Sequence, residues 1–159
     1  MKKRIILVGP AGSGKDFLRK KLEAKGYKYG VSYTTRPPRI GEVDGKDYHF
    51  VSEDRFKEMV QNDEFHEYVA FNNWFYGTSK TQWFETDDVF IMTPTGISKL
   101  SEADIASSFI IYIDIPIDIR RERLALRSDA DTVDRRIDAD ERDFATFTQF
   151  DIRIQNSNF

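Results

Sequence analysis

Apolar residues along this chain come in short, separated runs. Residues 5–8 read IILV and are closed at once by Gly9-Pro10, which predicts a strand buried on both faces. The period then changes. From Asp16 to Lys25, helix formers carry Phe17, Leu18 and Leu22 on one side, and Gly26 ends the segment. Ser52 is placed to cap a second helix reaching Asn62, with Glu53 and Asp54 in its first turn and Phe56, Met59 and Val60 as its inward stripe. VFIM at 89–92 and FIIYIDI at 109–115 predict two more buried strands, and arginine-rich helical segments follow from Asp118 to Asp143. Such alternation predicts an α/β fold around a parallel sheet. No repeat period or low-complexity linker divides the 159 residues, so one compact domain is expected.

Composition removes several classes. Hydrophobic residues make up 40% and charged residues 32%, with 24 Lys and Arg against 27 Asp and Glu. That balance fits a soluble globular protein and argues against a polybasic nucleic-acid binder. The apolar runs are too short to cross a bilayer and no charged-then-apolar leader opens the sequence, so a cytoplasmic protein with no membrane partner is expected. Protein partners are not legible. Zero cysteines exclude disulfides and thiolate metal sites, and two histidines, His49 and His66, are too few for an ordinary zinc cluster. Both read as ordinary polar residues.

Candidate chemistry begins at residues 9–16, GPAGSGKD. Gly-x-x-x-x-Gly-Lys occurs by chance, but here it joins a predicted strand to a predicted helix, where backbone N–H groups and a helix N-terminus converge on phosphates. Gly9, Gly12 and Gly14 are expected at positive φ, letting the loop approach a ligand closely, and Lys15 supplies a mobile charge for the outer phosphates. A merely tight, glycine-rich turn would leave Lys15 in register by coincidence. Asp16 departs from the pattern, standing where a Ser or Thr hydroxyl would reach the magnesium of a bound nucleotide.

The second stretch is SYTTRPPRIGEVDGKDYHF, residues 32–50. Arg36 and Arg39 flank two prolines that stiffen the segment, so two guanidinium forks can meet one anion at little ordering cost, and Tyr48 can add a hydroxyl. RPPR alone reads as a solvated proline turn. The whole stretch, however, closely resembles the GMP-binding segment of guanylate kinases. The glycine loop before it, and EFHEY at 64–68 and FYGTS at 75–79 after it, stand in that family's order. The resemblance runs from Arg4 to the final NSNF and is strongest between Ser32 and Ser79.

The resemblance implies a P-loop NTPase core of three layers with a parallel β-sheet, a small mixed α+β lobe for the monophosphate, and a helical lid. The core would take residues 1–31, 81–117 and 144–159, the lobe 32–80 and the lid 118–143. It implies an ATP-dependent kinase that moves the γ-phosphate to GMP or dGMP with Mg2+, giving ADP and GDP or dGDP. Gly9, Pro10, Ala11, Gly12, Ser13, Gly14, Lys15, Asp16 and Arg123 would bind ATP. Ser32, Arg36, Arg39, Tyr48 and Tyr76 would hold the monophosphate's phosphate with Glu42 beside them, while Glu67 and Thr78 would read the base. Those types suit guanine: a carboxylate accepts adjacent N1–H and N2–H donors, and a hydroxyl satisfies O6. Adenine would leave Glu67 facing an acceptor, and a polar site rejects such a mismatch strongly.

By spacing, Arg120, Arg123 and Arg127 share a helical face, which in most proteins is only solvated. The resemblance makes the region a lid, in which Arg123, Arg127 and Arg136 contact nucleotide phosphates. Lys15, Arg39, Arg127 and Arg136 are then the candidate catalytic residues. Where the family usually carries acidic residues after the strand matching VFIM, this chain has IMTPTG with Thr93. Asp16 is therefore expected to take over magnesium positioning, with Thr93 holding the guanine amino group less firmly. The chain looks shorter than typical family members and is expected to lack their last helix. Two other readings are open: a non-catalytic module binding phosphorylated partners through Arg36, Arg39 and Tyr48, and a kinase for dGMP alone or a modified base. FNNWFY at 71–76 would wall that pocket, or is half-buried β packing.

Overall fold

The computed structural model describes residues 4–127 and 132–159. The chain runs through β1 (Arg4–Val8), α1 (Lys15–Ala24), β2 (Tyr33–Thr34), β3 (His49–Phe50), α2 (Glu53–Gln61), β4 (Phe65–Phe71) and β5 (Trp74–Ser79). It continues through a π-helical turn (Gln82–Thr86), β6 (Val89–Ile91), α3 (Pro94–Ser98), α4 (Glu102–Ala106), β7 (Ser108–Ile113), α5 (Ile117–Ala125), α6 (Val133–Phe144) and β8 (Ile152–Ile154). Among the described residues no helix is long and apolar enough to cross a membrane.

The first sheet has the order β6-β1-β7-β8, with every neighbouring pair parallel. Strand side chains alternate between faces, so an unbroken apolar run needs cover on both. Ile6 and Val8 join Phe90, Ile110 and Tyr112 in one cluster, sealed by Trp83, Ile97 of α3, Ile105 of α4 and Phe144 of α6. Leu7 joins Val89, Ile111 and Ile113 on the opposite face, beneath Leu18 and Leu22 of α1. The result is three layers. Ile6, Leu7 and Val8 are each 0% exposed, and burial at roughly 1.5–3 kcal/mol per side chain makes β1 the anchor of the fold. The glycine loop leaves its C-terminal end.

The second sheet has the order β3-β2-β5-β4; β2 and β3 are parallel and the other pairs antiparallel. The β4–β5 hairpin turns through Asn72 and Asn73 at φ 52° and 71°, a left-handed conformation that asparagine tolerates. Ser52 caps α2 by accepting the Arg55 N–H at 3.0 Å, and Phe56 and Met59 pack on Phe65 beneath the sheet.

Two sequence expectations change, and one strand carried no sequence signal. Gly9 is not at positive φ, unlike Gly12 at 79° and Gly14 at 99°. It is needed for close packing instead, because a Cβ there would lie 2.7 Å from the Ile113 carbonyl oxygen. The supposed common face of Arg120, Arg123 and Arg127 is broken, since α5 ends at Ala125 and Arg127 lies beyond its cap. Arg120 turns inward, 5% exposed, and its Nε donates to the Ile115 carbonyl at 3.0 Å. Finally, β8 is an edge strand whose Ile152 is 43% exposed, so it lacks the buried-run signature of the others.

Candidate active site

The glycine loop is built mainly from backbone. It runs off β1, turns on Gly12 and Gly14, and enters α1 with Gly14 as N-cap and no side-chain cap. The N–H groups of the helix's first turn are therefore left for an anion. Lys15 bends back so that Nζ donates to the Gly9 carbonyl at 2.6 Å. Burial lowers its pKa, Arg127 and Arg39 push the same way, and Asp140 and Asp16 oppose them. That combination places arginines from two other regions of the chain within electrostatic range of one ammonium. Ser13 Oγ is buried without a hydrogen-bond partner.

The second anion cradle is built from side chains. Arg36, 4% exposed, is gripped by Glu42 through Nη1–Oε1 at 2.8 Å and Nη2–Oε2 at 3.0 Å. Glu42 also accepts the Arg39 N–H at 2.6 Å, closing the proline turn on itself. Burial alone would raise the Glu42 pKa; the fork from Arg36 and the Arg39 amide outweigh it and hold the carboxyl below its usual range. The Arg36 guanidinium lies 5.1 Å from the Tyr48 ring centroid, and Tyr48 meets Tyr76 edge to face at 6.1 Å. Burial raises both phenol pKa values, so both rings carry hydroxyl protons available for donation. Ser32 Oγ, like Ser13 Oγ, is buried with no partner. An orphaned hydroxyl in each cradle is what an absent ligand oxygen would satisfy.

Both cradles open into one cavity of about 250 Å3. Residues 11–16 line one end and Ser32, Arg36, Arg39, Tyr48 and Tyr76 the other, with Glu67, Thr93, Arg127 and Arg136 between and around them. Phe71, Asn72 and Trp74 of the aromatic run form a wall. Glu67 is 7% exposed, and burial pushes its carboxyl up to about 7 although Thr78 and Lys99 pull it down. Thr78 is fully buried behind it and donates its hydroxyl to Glu67 Oε1 at 2.7 Å. Thr93 caps α3 by accepting the Gly96 N–H at 3.0 Å.

The whole chain, residues 1–159, matches the family model described as Guanylate kinase. The chain belongs to the guanylate kinase family. A curated guanylate kinase of Wolinella succinogenes is 35% identical over 162 residues, covering 96% of this chain and 75% of that protein. Another, of Gloeobacter violaceus, is 32% identical and covers 96% of this chain and 78% of its own length. The crystal structure of guanylate kinase from Anaplasma phagocytophilum superposes with a TM-score of 0.70 at 23% identity, over 98% of this chain and 77% of that one, which supports the shared fold. As a guanylate kinase family member the chain is an ATP-dependent kinase of nucleoside monophosphates.

Five of the residues singled out in the sequence do not reach the cavity wall. Gly9 and Pro10 sit behind the loop, Glu42 behind Arg36 and Thr78 behind Glu67. Arg123 grips the loop from outside, its Nη1 donating to the Gly12 carbonyl at 2.9 Å. One residue on the wall carried no sequence signal of its own. Asp140 of α6 lines the cavity and its Oδ2 accepts the Ala11 N–H at 2.8 Å. The available clue was register, because Asp140 is four residues beyond Arg136 and shares its helix face.

Asp16 is the lining carboxylate nearest Lys15 in sequence; its side chain is 54% exposed, with Oδ1 3.4 Å from Arg19 Nη2. Among the described residues no three His, Cys, Asp or Glu side chains form a metal-holding group. A lone accessible carboxylate fits magnesium, which keeps most of its waters and is commonly held by one or two carboxylates together with substrate phosphates.

Proposed function

We propose that this kinase transfers the γ-phosphoryl group of ATP to the phosphate of GMP or dGMP, and that the two cradles are its donor and acceptor sites. The single observation that carries the reading is their confluence: loop, arginine cradle and Glu67 share one cavity, with Arg39 and Arg127 close enough to Lys15 to depress its pKa.

On this reading residues 11–16 hold the ATP phosphates, Gly9 and Pro10 shape the loop behind them, and Lys15 neutralises charge on the outer phosphates. The acceptor's phosphate lies on Ser32, Arg36, Arg39, Tyr48 and Tyr76, and Glu42 holds Arg36 in place rather than touching substrate. Glu67 accepts the guanine N1–H and N2–H, Thr78 orients that carboxylate, and Thr93 flanks the amino group. Arg127 and Arg136 reach the phosphates from the lid side, while Arg123 fixes the lid to the loop. The monophosphate lobe then comprises residues 32–80, the lid 118–143 and the core the remainder; within the lid, 128–131 lie outside the described residues.

The attacking oxygen is already ionised at neutral pH, so no general base is needed. The protein's work is alignment and charge neutralisation, which Lys15, Arg39, Arg127 and Arg136 supply. Magnesium, positioned by Asp16 directly or through water, would add further charge stabilisation when bound. Closure of lid and lobe excludes water, which otherwise competes as acceptor.

The test is ADP release from ATP and magnesium with GMP, dGMP, AMP, UMP and dTMP in turn. Turnover confined to guanine monophosphates is expected. Turnover with another base contradicts the role of Glu67, and binding without turnover makes the chain a non-catalytic module.

A further inference from the structure

We infer that Asp140 sets the affinity for the donor triphosphate by serving as an internal anion on the glycine loop, an inference that rests on the ATP site proposed above. The side chain is 4% exposed and lies on the same helix face as Arg136. Its Oδ2 accepts the Ala11 N–H at 2.8 Å, so a loop amide is already bound to a negative oxygen. The same carboxylate is the strongest negative influence on Lys15, ahead of Asp16. Asp140 thus bonds one amide of the loop and acts electrostatically on the loop's lysine, the two groups an outer phosphate oxygen would meet.

Two anions cannot share that place at low cost. A carboxylate and a phosphate a few ångströms apart in a partly desolvated pocket repel strongly. Entry of the triphosphate therefore requires the carboxylate to leave Ala11. A diphosphate lacks the outermost group and meets less of this repulsion. In the free protein the contact keeps the loop's positive field balanced and holds α6 against it. The helix that completes the donor site is in this way also the element that competes with the donor.

The experiment is calorimetric titration of ATP and ADP, with magnesium, into the full-length protein and its Asp140→Asn variant, with GMP turnover measured on both. Asn keeps the shape and an acceptor oxygen for Ala11 while removing the charge. Its Kd for ATP is expected to fall about tenfold and its Kd for ADP by less than about threefold. Asp140→Glu, which retains the charge, is expected to keep ATP affinity near wild type. Asp138→Asn, on the exposed side of α6, controls for net charge and is expected to change neither Kd by more than about twofold. If the Asn variant does not fold, Asp140→Ser repeats the test with a smaller neutral side chain. Unchanged or weaker ATP binding in the neutral variants, or equal tightening of ATP and ADP, overturns the inference. Wild-type turnover with such a result rejects the role of Asp140 alone; absence of ATP binding and turnover in wild type rejects the donor site itself.

Discussion

The two anion cradles use opposite materials. The proposed donor cradle is a glycine turn that would bind through its amides, and its side chains matter at few points, chiefly Lys15 and the glycines at φ 79° and 99°. The proposed acceptor cradle is made of Arg36, Tyr48, Tyr76 and Ser32, and holds its shape because a half-buried carboxylate, Glu42, grips a buried guanidinium at 2.8 and 3.0 Å. A backbone cradle is positioned by the strand and helix it joins, so it is as rigid as the core. A side-chain cradle is positioned by its own ion pair, and removing one partner leaves an uncompensated charge. The lesson is that the donor side should fail locally and the acceptor side collectively.

The largest effect should come from Lys15→Met. It is expected to lower kcat by about a thousandfold while leaving GMP affinity nearly unchanged, read by steady-state kinetics and a separate GMP titration. Loss of GMP binding in that variant would show that the cradles are not independent. Next, Arg36→Met is expected to raise KM for GMP about a hundredfold with ATP affinity preserved. Glu42→Gln should disturb both binding and folding on that side, lowering stability by about 3 kcal/mol in chemical denaturation, because Arg36 at 4% exposure loses its counter-charge.

These contrasts also explain what the chain disclosed before folding. The glycine loop, β1 and α1 were legible because each depends on neighbouring residues: a run buried on both faces, then glycines, then a helix period. Arg36 and Arg39 stand out as candidate anion ligands only through the resemblance of the whole 32–50 stretch, since RPPR alone reads as a solvated turn. What pairs them was not legible, since the bidentate grip of Glu42 depends on how the turn closes. Asp140 was invisible for the same reason at longer range, because its partner Ala11 is 129 residues away. Likewise Thr78 carries a hydroxyl that sequence assigns to the base, whereas folding buries it behind Glu67 at 2.7 Å. His66 reads as a bland polar residue, yet it sits 3.0 Å from Asp104 and stacks on Trp83 at 4.7 Å, tying the second sheet to α4.

A smaller effect concerns pH. Burial raises the Glu67 carboxyl to about 7, so below that value the folded protein carries it protonated. Guanine needs the ionised form as acceptor. KM for GMP is therefore expected to rise as pH falls below about 7, roughly tenfold per unit, and to level off above it. Glu67→Gln should flatten that profile, and a profile unchanged by the substitution would remove Glu67 from the base site. The smallest effect belongs to Asp16→Ser, expected to raise the magnesium concentration for half-maximal activity by about two- to fivefold. Higher activity at every magnesium concentration would contradict a metal role for Asp16.

Phosphoryl transfer requires the two cradles to face each other across the one cavity they share. A crystal structure with adenosine and guanosine joined through five phosphates tests it most directly. One molecule is expected to span the cavity, its phosphate chain running from the residue 11–15 amides and Lys15 to Arg36, Tyr48 and Tyr76, with guanine against Glu67. A guanosine end lying outside the cavity, or a phosphate chain that reaches one cradle and leaves the other, would contradict it.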